Sequence, residues 1–598
     1  MRHSKDTNSE SNAALETQAL KAAAGQWAAN DPDPATAAQL QAMAADPAAA
    51  PELADSFAAN LQFGTAGLRA AMGPGPNRMN RVVVRRAAAG LAAHLKDLAR
   101  GDDTDTSYTP RAVVGFDARH NSEIFAQETA AIFTAAGIET FLMPHALPTP
   151  VLAYAVRALG CEAGVMVTAS HNPSADNGYK VYLGARAVEP EANGVQIVAP
   201  HDARIAVAIA AVANTADAGD TSGIPMATTG WTVLGKDLAE SYIDNVSRLC
   251  DPAMFPERTL RIVHTSMHGV GHETALAVLH KAGFTDIQAV PEQSAPNPEF
   301  PTVSFPNPEE PGAMDLAFAL AQEVGADVVL ANDPDADRVA VGAVDPGTGL
   351  WHKLHGDQVG ALLGAHLAAR LGAAARSTTG STVPPVFANS IVSSRLLAKI
   401  AAAAGFNHVQ TLTGFKWISR VRNLGYGYEE ALGYCVAPEL VRDKDGISAG
   451  LLVAEMAAGL KAQGRTLFDA LDDLSLAHGL HASDQMSVRV TSLAMLETLM
   501  AGLRGTPPTG FAGSPVVQFT DLSEGTPELP ATDGLMYLTG NSTRVIVRPS
   551  GTEPKLKCYV EVLVPVTDRS GLGTAKATAR EQLASVADDL KKALGIDA

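Results

Sequence analysis

Apolar positions along the chain alternate between two periods. "RAVVGFDARHNS" is a short continuous apolar run that breaks into a polar turn, and "EIFAQETAAIFTAAG" then repeats its apolar positions at helical spacing up to a glycine stop. This predicts a strand, a loop and a helix. "EAGVMVTAS" is the next apolar run. The pattern restarts with "LRIVHTSMHGVG", "HETALAVLHKAGF" and "ADVVLANDPDADR", and a third time from "GDQVGALLGAHLAARLG" through "TLTGFKWI" to "YEEALGYCV". An Ala/Gly/Thr-rich stretch around residues 210 to 230 separates the first round from the second. Three successive α/β rounds without residue-level repetition predict three similar layered units. The last hundred or so residues differ: "TRVIVRPSGTEPKLKCYVEVLV" is two β-rich runs around a Pro/Gly turn, and an Ala-rich helix from about residue 573 follows. This last part predicts a separate α+β domain. Residues 14 to 60 are Ala-rich at helical spacing, behind a polar N-terminal stretch.

Length agrees with this reading. The 598 residues exceed one hydrophobic core, and about 150 residues per domain gives roughly four domains. The expected division is 1–60, a polar tail and helices packed on domain 1; 61–235, domain 1; 236–350, domain 2; 351–485, domain 3; and 486–598, domain 4. The fold class expected is α/β, with three similar layered units with mixed sheets around a central cleft plus the C-terminal α+β domain.

Charge then restricts the partners. A formal net charge of −19 opposes unaided binding to nucleic acid or an anionic membrane surface, since both need clustered cations. No apolar run approaches the roughly 18 residues of a membrane span, and no secretory pattern is visible, so a cytoplasmic location is expected. The four cysteines, Cys161, Cys250, Cys435 and Cys558, are far apart and form no CxxC pair, and are read as reduced core residues.

Three short segments carry candidate chemistry. In "VVLANDPDADRVAV", Asp333, Asp335 and Asp337 follow a strand at alternate positions. Three carboxylates so close repel one another unless a cation neutralises them, and oxygen donors favour Mg²⁺ or Ca²⁺. An EF-hand loop needs Gly at its sixth position and Glu at its twelfth, where this chain has Arg338 and Val344. In "VRPSGTEPKLK", Arg548, Ser550, Gly551, Thr552 and Lys555 combine a guanidinium, two hydroxyls, backbone N–H groups and an ammonium, a donor set suited to a phosphate dianion. It is not a Walker A loop, because no GxxxxGK[ST] occurs. In "VTASHNPSADNGYK", Ser170 and His171 follow a strand's carboxyl end, where open α/β sheets place their chemistry. A GxSxG hydrolase elbow is excluded, since Thr168 and Asn172 hold the glycine positions. Beside a cation site and a phosphate cradle, Ser170 reads best as an oxygen that accepts and donates a phosphoryl group.

"TASHNP", "DPDADR", "YEEALGY" and "RPSGTEPKLK" occur in the order and at the spacing of the α-D-phosphohexomutase superfamily, and the chain most resembles its long phosphoglucomutase/phosphomannomutase branch. "FGTAGLRAAMGPGPNRMN", "GFDAR", "TLTGFKWI" and "DKDGI" resemble the same branch, so the likeness spans roughly residues 55 to 565. The resemblance implies that Ser170 is carried as phosphoserine, with His171, Lys180 and Arg69 as catalytic neighbours. It implies that Asp333, Asp335 and Asp337 bind Mg²⁺ together with a Ser170 phosphoryl oxygen, and that Arg338 lies beside that loop. Lys416 and Glu429 would meet the sugar, and Arg548, Ser550, Gly551, Thr552 and Lys555 would grip the phosphate that is not transferred. Many relatives carry serine where this chain has Ala431. His268 in "SMHGVG" also matches a family position and is equally consistent with a structural role. The implied activity is that of a phosphoglucomutase interconverting glucose 1-phosphate and glucose 6-phosphate, with glucose 1,6-bisphosphate as intermediate and activator. Sugar phosphates are the expected partners, nucleic acid and membrane are not, and a monomer or homodimer fits. Phosphomannomutase and phosphopentomutase share the mechanism and stand as alternatives. A haloacid-dehalogenase-type phosphohydrolase is a weaker one, because its DxDx[T/V] pattern meets Asp337 at the fifth position.

Overall fold

The computed structural model describes residues 3–65, 67–100, 108–214, 218–377, 383–490, 492–550 and 555–596. The chain divides into two compact units, the first comprising residues 1–249, 261–339 and 439–451, the second residues 250–260, 340–438 and 452–598.

Among the described residues, the first unit holds ten strands: β1 (Leu68–Ala71), β2 (Arg111–Phe116), β3 (Glu139–Leu142), β4 (Ala163–Val167), β5 (Asp176–Leu183), β6 (Val195–Gln196), β7 (Thr232–Val233), β8 (Arg261–Thr265), β9 (Asp286–Ala289) and β10 (Val328–Asn332). The first seven form one mixed sheet in the order β1-β5-β4-β2-β3-β7, with β6 also on β5. β2 is parallel to β3 and β4, and β5 runs antiparallel to β1 and β4. β4 is buried along its whole length, as its unbroken "AGVMV" requires of a strand covered on both faces. Helices Arg81–Arg100 and Ser122–Ala135 supply Leu91, Leu95, Phe125 and Phe133 to the core over this sheet. β10, β8 and β9 form a second, parallel array.

The N-terminal stretch read as a polar tail is helical from His3 to Asn30. No proline or glycine interrupts it before Gly25, so the run propagates, and Pro32 and Pro34 mark its end. It is followed by helix Pro34–Ala45, which Asp33 caps by accepting a bond from the Ala35 N–H. Trp27, Leu40, Met43 and Leu53 of this region form a small cluster with Val82, and Arg86 lies over the Trp27 ring.

In the second unit, β11 (Val339–Val344) and β12 (Trp351–Lys353) form a hairpin. β13 (Val386–Ser390), β14 (Asn407–Thr411), β15 (Leu424–Glu429) and β16 (Gly433–Cys435) make a mixed sheet in the order β14-β13-β15-β16. The C-terminal sheet contains β17 (Leu480–Arg489), β18 (Gly510–Phe511), β19 (Ser514–Asp521), β20 (Leu535–Thr539), β21 (Arg544–Pro549) and β22 (Lys555–Val564), antiparallel throughout in the order β17-β22-β21-β20-β19-β18. Val586 and Leu590 of helix Leu572–Ala593 pack on it, which meets the expectation of an α+β domain. All four cysteines are free and buried.

Candidate active site

Ser170 stands in the turn between β4 and β5, 3% exposed and with a left-handed φ of 52°. A non-glycine residue held there stores strain of about 1–3 kcal/mol, and the surrounding bonds explain how the turn keeps it. The Ser170 N–H donates to Thr168 Oγ1 (2.9 Å). Arg119, at the end of "GFDAR", donates to the carbonyls of Ser170 (2.6 Å), Asn172 (2.6 Å), Pro173 (2.7 Å) and Asp176 (3.1 Å). Asp117 in turn faces the Arg119 guanidinium at 3.4 Å. One buried guanidinium thus fixes the whole turn. Gly178 permits the tight pairing behind it, since a Cβ there would lie 2.5 Å from the Thr168 carbonyl oxygen and 2.9 Å from that of Leu68.

The aspartates come from the loop after β10, itself parallel to β8. Asp333, Asp335 and Asp337 are at most 1% exposed, and one oxygen from each lies within 4.8 Å of the others. Ala336, with φ of 56°, turns the loop so that alternate carboxylates converge. Ser170 Oγ donates to Asp333 Oδ2 at 2.8 Å. Lys180, from β5, donates to Asp335 Oδ2 (2.6 Å) and Asp337 Oδ2 (2.9 Å). Thr149 donates its hydroxyl to Asp335 Oδ2 (2.6 Å) and its N–H to the Asp335 carbonyl (2.9 Å). Lys444 sits 3.1 Å from Asp337 Oδ2, and the Arg338 N–H donates to Asp333 Oδ1 (3.0 Å).

The carboxylates are not equivalent. Burial, reinforced by repulsion from Asp335 and Asp337, pushes Asp333 well above the usual carboxylate range. Burial acts the same way on Asp335, but the Lys180 ammonium and the bonds from Lys180 and Thr149 outweigh it and hold that carboxyl down. Oδ1 of Asp335 and Oδ1 of Asp337 are buried and accept no hydrogen bond. Two orphaned carboxylate oxygens beside a third carboxylate and a serine hydroxyl fit a hard divalent cation bound through oxygen. Ser170, Asp333, Asp335 and Asp337 are the residues that would hold it.

His171 Nδ1 lies 3.3 Å from Ser170 Oγ. Burial, then the charges of Arg338 and Arg69, hold its ring well below the usual histidine range. Arg69, opposite Gly178 in the β1–β5 pairing, reaches Asn172 Oδ1 at 3.4 Å. His268 is buried with its Nε2 on Thr302 Oγ1 (2.8 Å).

The remaining candidates lie in the second unit. Glu429 ends β15, and its Oε1 accepts the Gly414 N–H at 2.6 Å. Gly414 has φ of 115° and precedes the short helix Phe415–Ile418 that carries Lys416. Arg548 and Lys555 stand on the β21–β22 hairpin, where the Ser550 N–H donates to the Lys555 carbonyl (2.7 Å). Gly551 and Thr552 lie outside the described residues. Arg119, Thr149 and Lys444 were missed as single residues in the sequence; Arg119 and Lys444 sit within "GFDAR" and "DKDGI", the one signal that could have found them.

Fold and site together define a multidomain α/β enzyme with a buried serine hydroxyl beside a three-aspartate cation site. Family models for phosphoglucomutase/phosphomannomutase match in order: α/β/α domain I over residues 60–215, domain II over 240–346, domain III over 355–476 and the C-terminal domain over 512–563. The chain is 45% identical over 484 residues to a Haemophilus influenzae protein named "Probable phosphomannomutase", covering 81% of this chain and 93% of that one. It is 34% identical over 586 residues to the phosphopentomutase of Mus musculus, covering 90% of each. The fold matches the crystal structure of the Paramecium phosphoglucomutase parafusin at a TM-score of 0.64 and 18% identity, covering 90% of this chain and 95% of that one. The chain belongs to the phosphoglucomutase/phosphomannomutase family, and is an enzyme of the phosphohexomutase group of isomerases with three α/β domains and a C-terminal domain. Among the described residues, no helix is long and apolar enough to cross a membrane.

Proposed function

We propose that the protein interconverts glucose 1-phosphate and glucose 6-phosphate, with Ser170 as the residue that carries the phosphoryl group. The observation that supports the phosphoryl-carrying role most directly is the Ser170 Oγ to Asp333 Oδ2 bond inside a buried aspartate cluster that Lys180 also enters. Ser170 is carried as phosphoserine. The free hydroxyl of a hexose monophosphate attacks its phosphorus, an O–P bond forms on the sugar, and the P–Oγ bond breaks. The hydroxyl's proton leaves as the new ester forms, and Ser170 Oγ gains one; His171, whose Nδ1 lies 3.3 Å from Ser170 Oγ, and Lys180, bonded to the neighbouring aspartates, are the residues read as handling those protons. The bisphosphate reverses its orientation, and Ser170 takes back the phosphoryl group from the other end. When bound at Ser170, Asp333, Asp335 and Asp337, a divalent ion such as Mg²⁺ offsets phosphoryl charge and polarises the phosphoryl oxygens. Arg69 and Arg338 add fixed positive charge beside it. Glu429 accepts bonds from sugar hydroxyls, Lys416 meets the sugar or its phosphate, and Arg548, Ser550, Gly551, Thr552 and Lys555 hold the phosphate that does not react.

A pentose phosphate is the second reading. It is favoured by similarity to the mouse phosphopentomutase, 34% identical across 90% of this chain. Coupled assays on glucose 1-phosphate, mannose 1-phosphate and ribose 1-phosphate, with magnesium and a trace of glucose 1,6-bisphosphate, separate the readings. Preference for glucose 1-phosphate is expected, and a strong ribose preference would overturn the choice. Intact-mass analysis should find a phosphoryl adduct on Ser170; net phosphate release that survives Ser170→Ala would point to a phosphohydrolase instead.

A further inference from the structure

Glu429 has a neighbour that the sugar-binding reading leaves without a task. Glu430 is buried, and its Oε2 accepts the hydroxyls of Ser393 (2.7 Å) and Ser390 (3.1 Å). Ser393 Oγ also accepts the Glu430 N–H at 3.1 Å, so one hydroxyl holds both the side chain and the backbone of Glu430. Packing leaves this backbone no freedom, because a Cβ on Gly356 would lie 1.7 Å from the Glu430 carbonyl oxygen.

The serine turn is tied in its own right to the C-terminal sheet. The Ser393 carbonyl accepts Arg544 Nη2 at 2.6 Å, and Ser394 Oγ and the Arg395 N–H donate to Glu561 Oε1 at 2.7 and 2.8 Å. Arg544 begins β21, four residues before Arg548, so the two point to the same face of that strand. Ile391 and Val392 of the turn also pack with Ile546 and Tyr559 of the sheet. A continuous set of short contacts therefore runs from Gly414 and Glu429, through Glu430, Ser393 and Arg544, to the strand that carries Arg548.

We propose that Glu430 is a positioning residue for sugar recognition, which through Ser393 and Arg544 sets the Glu429 carboxylate and the Arg548 strand in one register. This rests on the sugar- and phosphate-binding roles proposed above for Glu429 and Arg548. The chemistry at the site is consistent with a fixed carboxyl: burial, then Glu429 and Asp357, push the Glu430 carboxyl up to about 7.

The test compares Glu430→Ala, Glu430→Gln and Ser393→Ala with the wild-type enzyme in steady-state assays on glucose 1-phosphate, with thermal melts alongside. Glu430→Ala and Ser393→Ala are expected to raise KM about tenfold with kcat within about threefold, because substrate grip is lost and transfer at Ser170 is not. Glu430→Gln, which keeps an acceptor for both serines, is expected to restore KM to within about threefold of wild type. Unchanged KM in both Glu430→Ala and Ser393→Ala would overturn the inference. So would a melting temperature that falls together with kcat while KM holds, since that marks a merely structural carboxyl. If Glu430→Ala fails to fold, Ser393→Ala decides by the same criteria. Wild-type enzyme inactive on every sugar phosphate tried would instead refute the functional reading, so the two failures are distinguishable.

Discussion

Glu561 makes the sharpest stability prediction in the molecule. It is 2% exposed on β22 and takes bonds from Ser394 Oγ, the Arg395 N–H and His481 Nδ1 (3.0 Å), with the Arg395 and Arg544 guanidiniums against its other oxygen. Burial alone would raise its pKa, but Arg544, then His481 and Arg395, hold it far below the usual range. Glu561→Gln keeps the shape and one acceptor while removing the charge, which leaves Arg544, itself 5% exposed, without its counter-ion. Breaking a buried pair from one side costs about 3–5 kcal/mol. The amide retains the Ser394 and Arg395 N–H bonds, so the lower end, about 3 kcal/mol, applies. At about 2–4 °C per kcal/mol for a body of this size, the melting step of the second unit should fall by about 6–12 °C in calorimetry. The double change Arg544→Met with Glu561→Gln, which removes the buried guanidinium together with the charge opposite it while the amide oxygen still accepts from Ser394 and the Arg395 N–H, should recover most of that loss. A shift under about 2 °C for Glu561→Gln would refute the reasoning, since the guanidinium would then be solvated or re-paired at no cost.

Glu128 presents the same physics in the first unit: Arg81 and Arg85, both partly exposed, pair with its Oε1, so Glu128→Gln should lower the urea midpoint by an amount equivalent to at most about 3 kcal/mol, the lower end of the range, and an unchanged midpoint would show the pairs to be solvated. Acid should weaken the fold through two neutral histidines, the buried His94 and the half-buried His408. Burial holds His94, bonded to His201 Nδ1, and His408, bonded to Asn389 Oδ1, down to about 4. Those folded values lie below the unfolded value of about 6.5, so their stabilisation is present above pH 6.5 and is lost as pH falls toward 4. Urea midpoints at about pH 7 and about pH 5 should therefore differ, and the double variant His94→Gln/His408→Gln should flatten the difference. Ser170→Ala should end phosphoryl retention on the protein, read by intact mass, while its melting temperature stays within about 2 °C of wild type, because the Arg119 bonds are made to backbone carbonyls that alanine keeps.

How far the site could be read from sequence follows from where each partner's residues come from. Ser170 with His171, and Asp333 with Asp335 and Asp337, are local sets: each occupies one loop at a strand end, so their residues are already neighbours in the sequence. The three rounds of α/β patterning were legible for the same reason, because a buried strand and the helix after it lie within about thirty residues. Thr149 and Lys444 were not legible as partners. They reach Asp335 and Asp337 from elements 186 residues earlier and 107 residues later in the chain; nothing local marks Thr149, and "DKDGI" marks Lys444 without showing that it faces a carboxylate. The N-terminal helix was also underread, since its polar start lacks the apolar stripe that periodicity detects, yet the chain continues helical through it.

The buried network of the second unit shows the limit most clearly. In sequence, Glu430 is the second of two adjacent glutamates, Ser393 one of a serine pair, and Arg544 an ordinary strand residue. Their roles depend on charge balance across three separate segments, which only the fold brings within about 3 Å. An isolated buried carboxyl or guanidinium is costly, so each of these residues can be tolerated only where the others are already in place. The same interdependence that hides them from a reading of motifs makes them sensitive to single changes, and it confines the tolerated replacements to ones that keep the hydrogen bond or remove both partners at once.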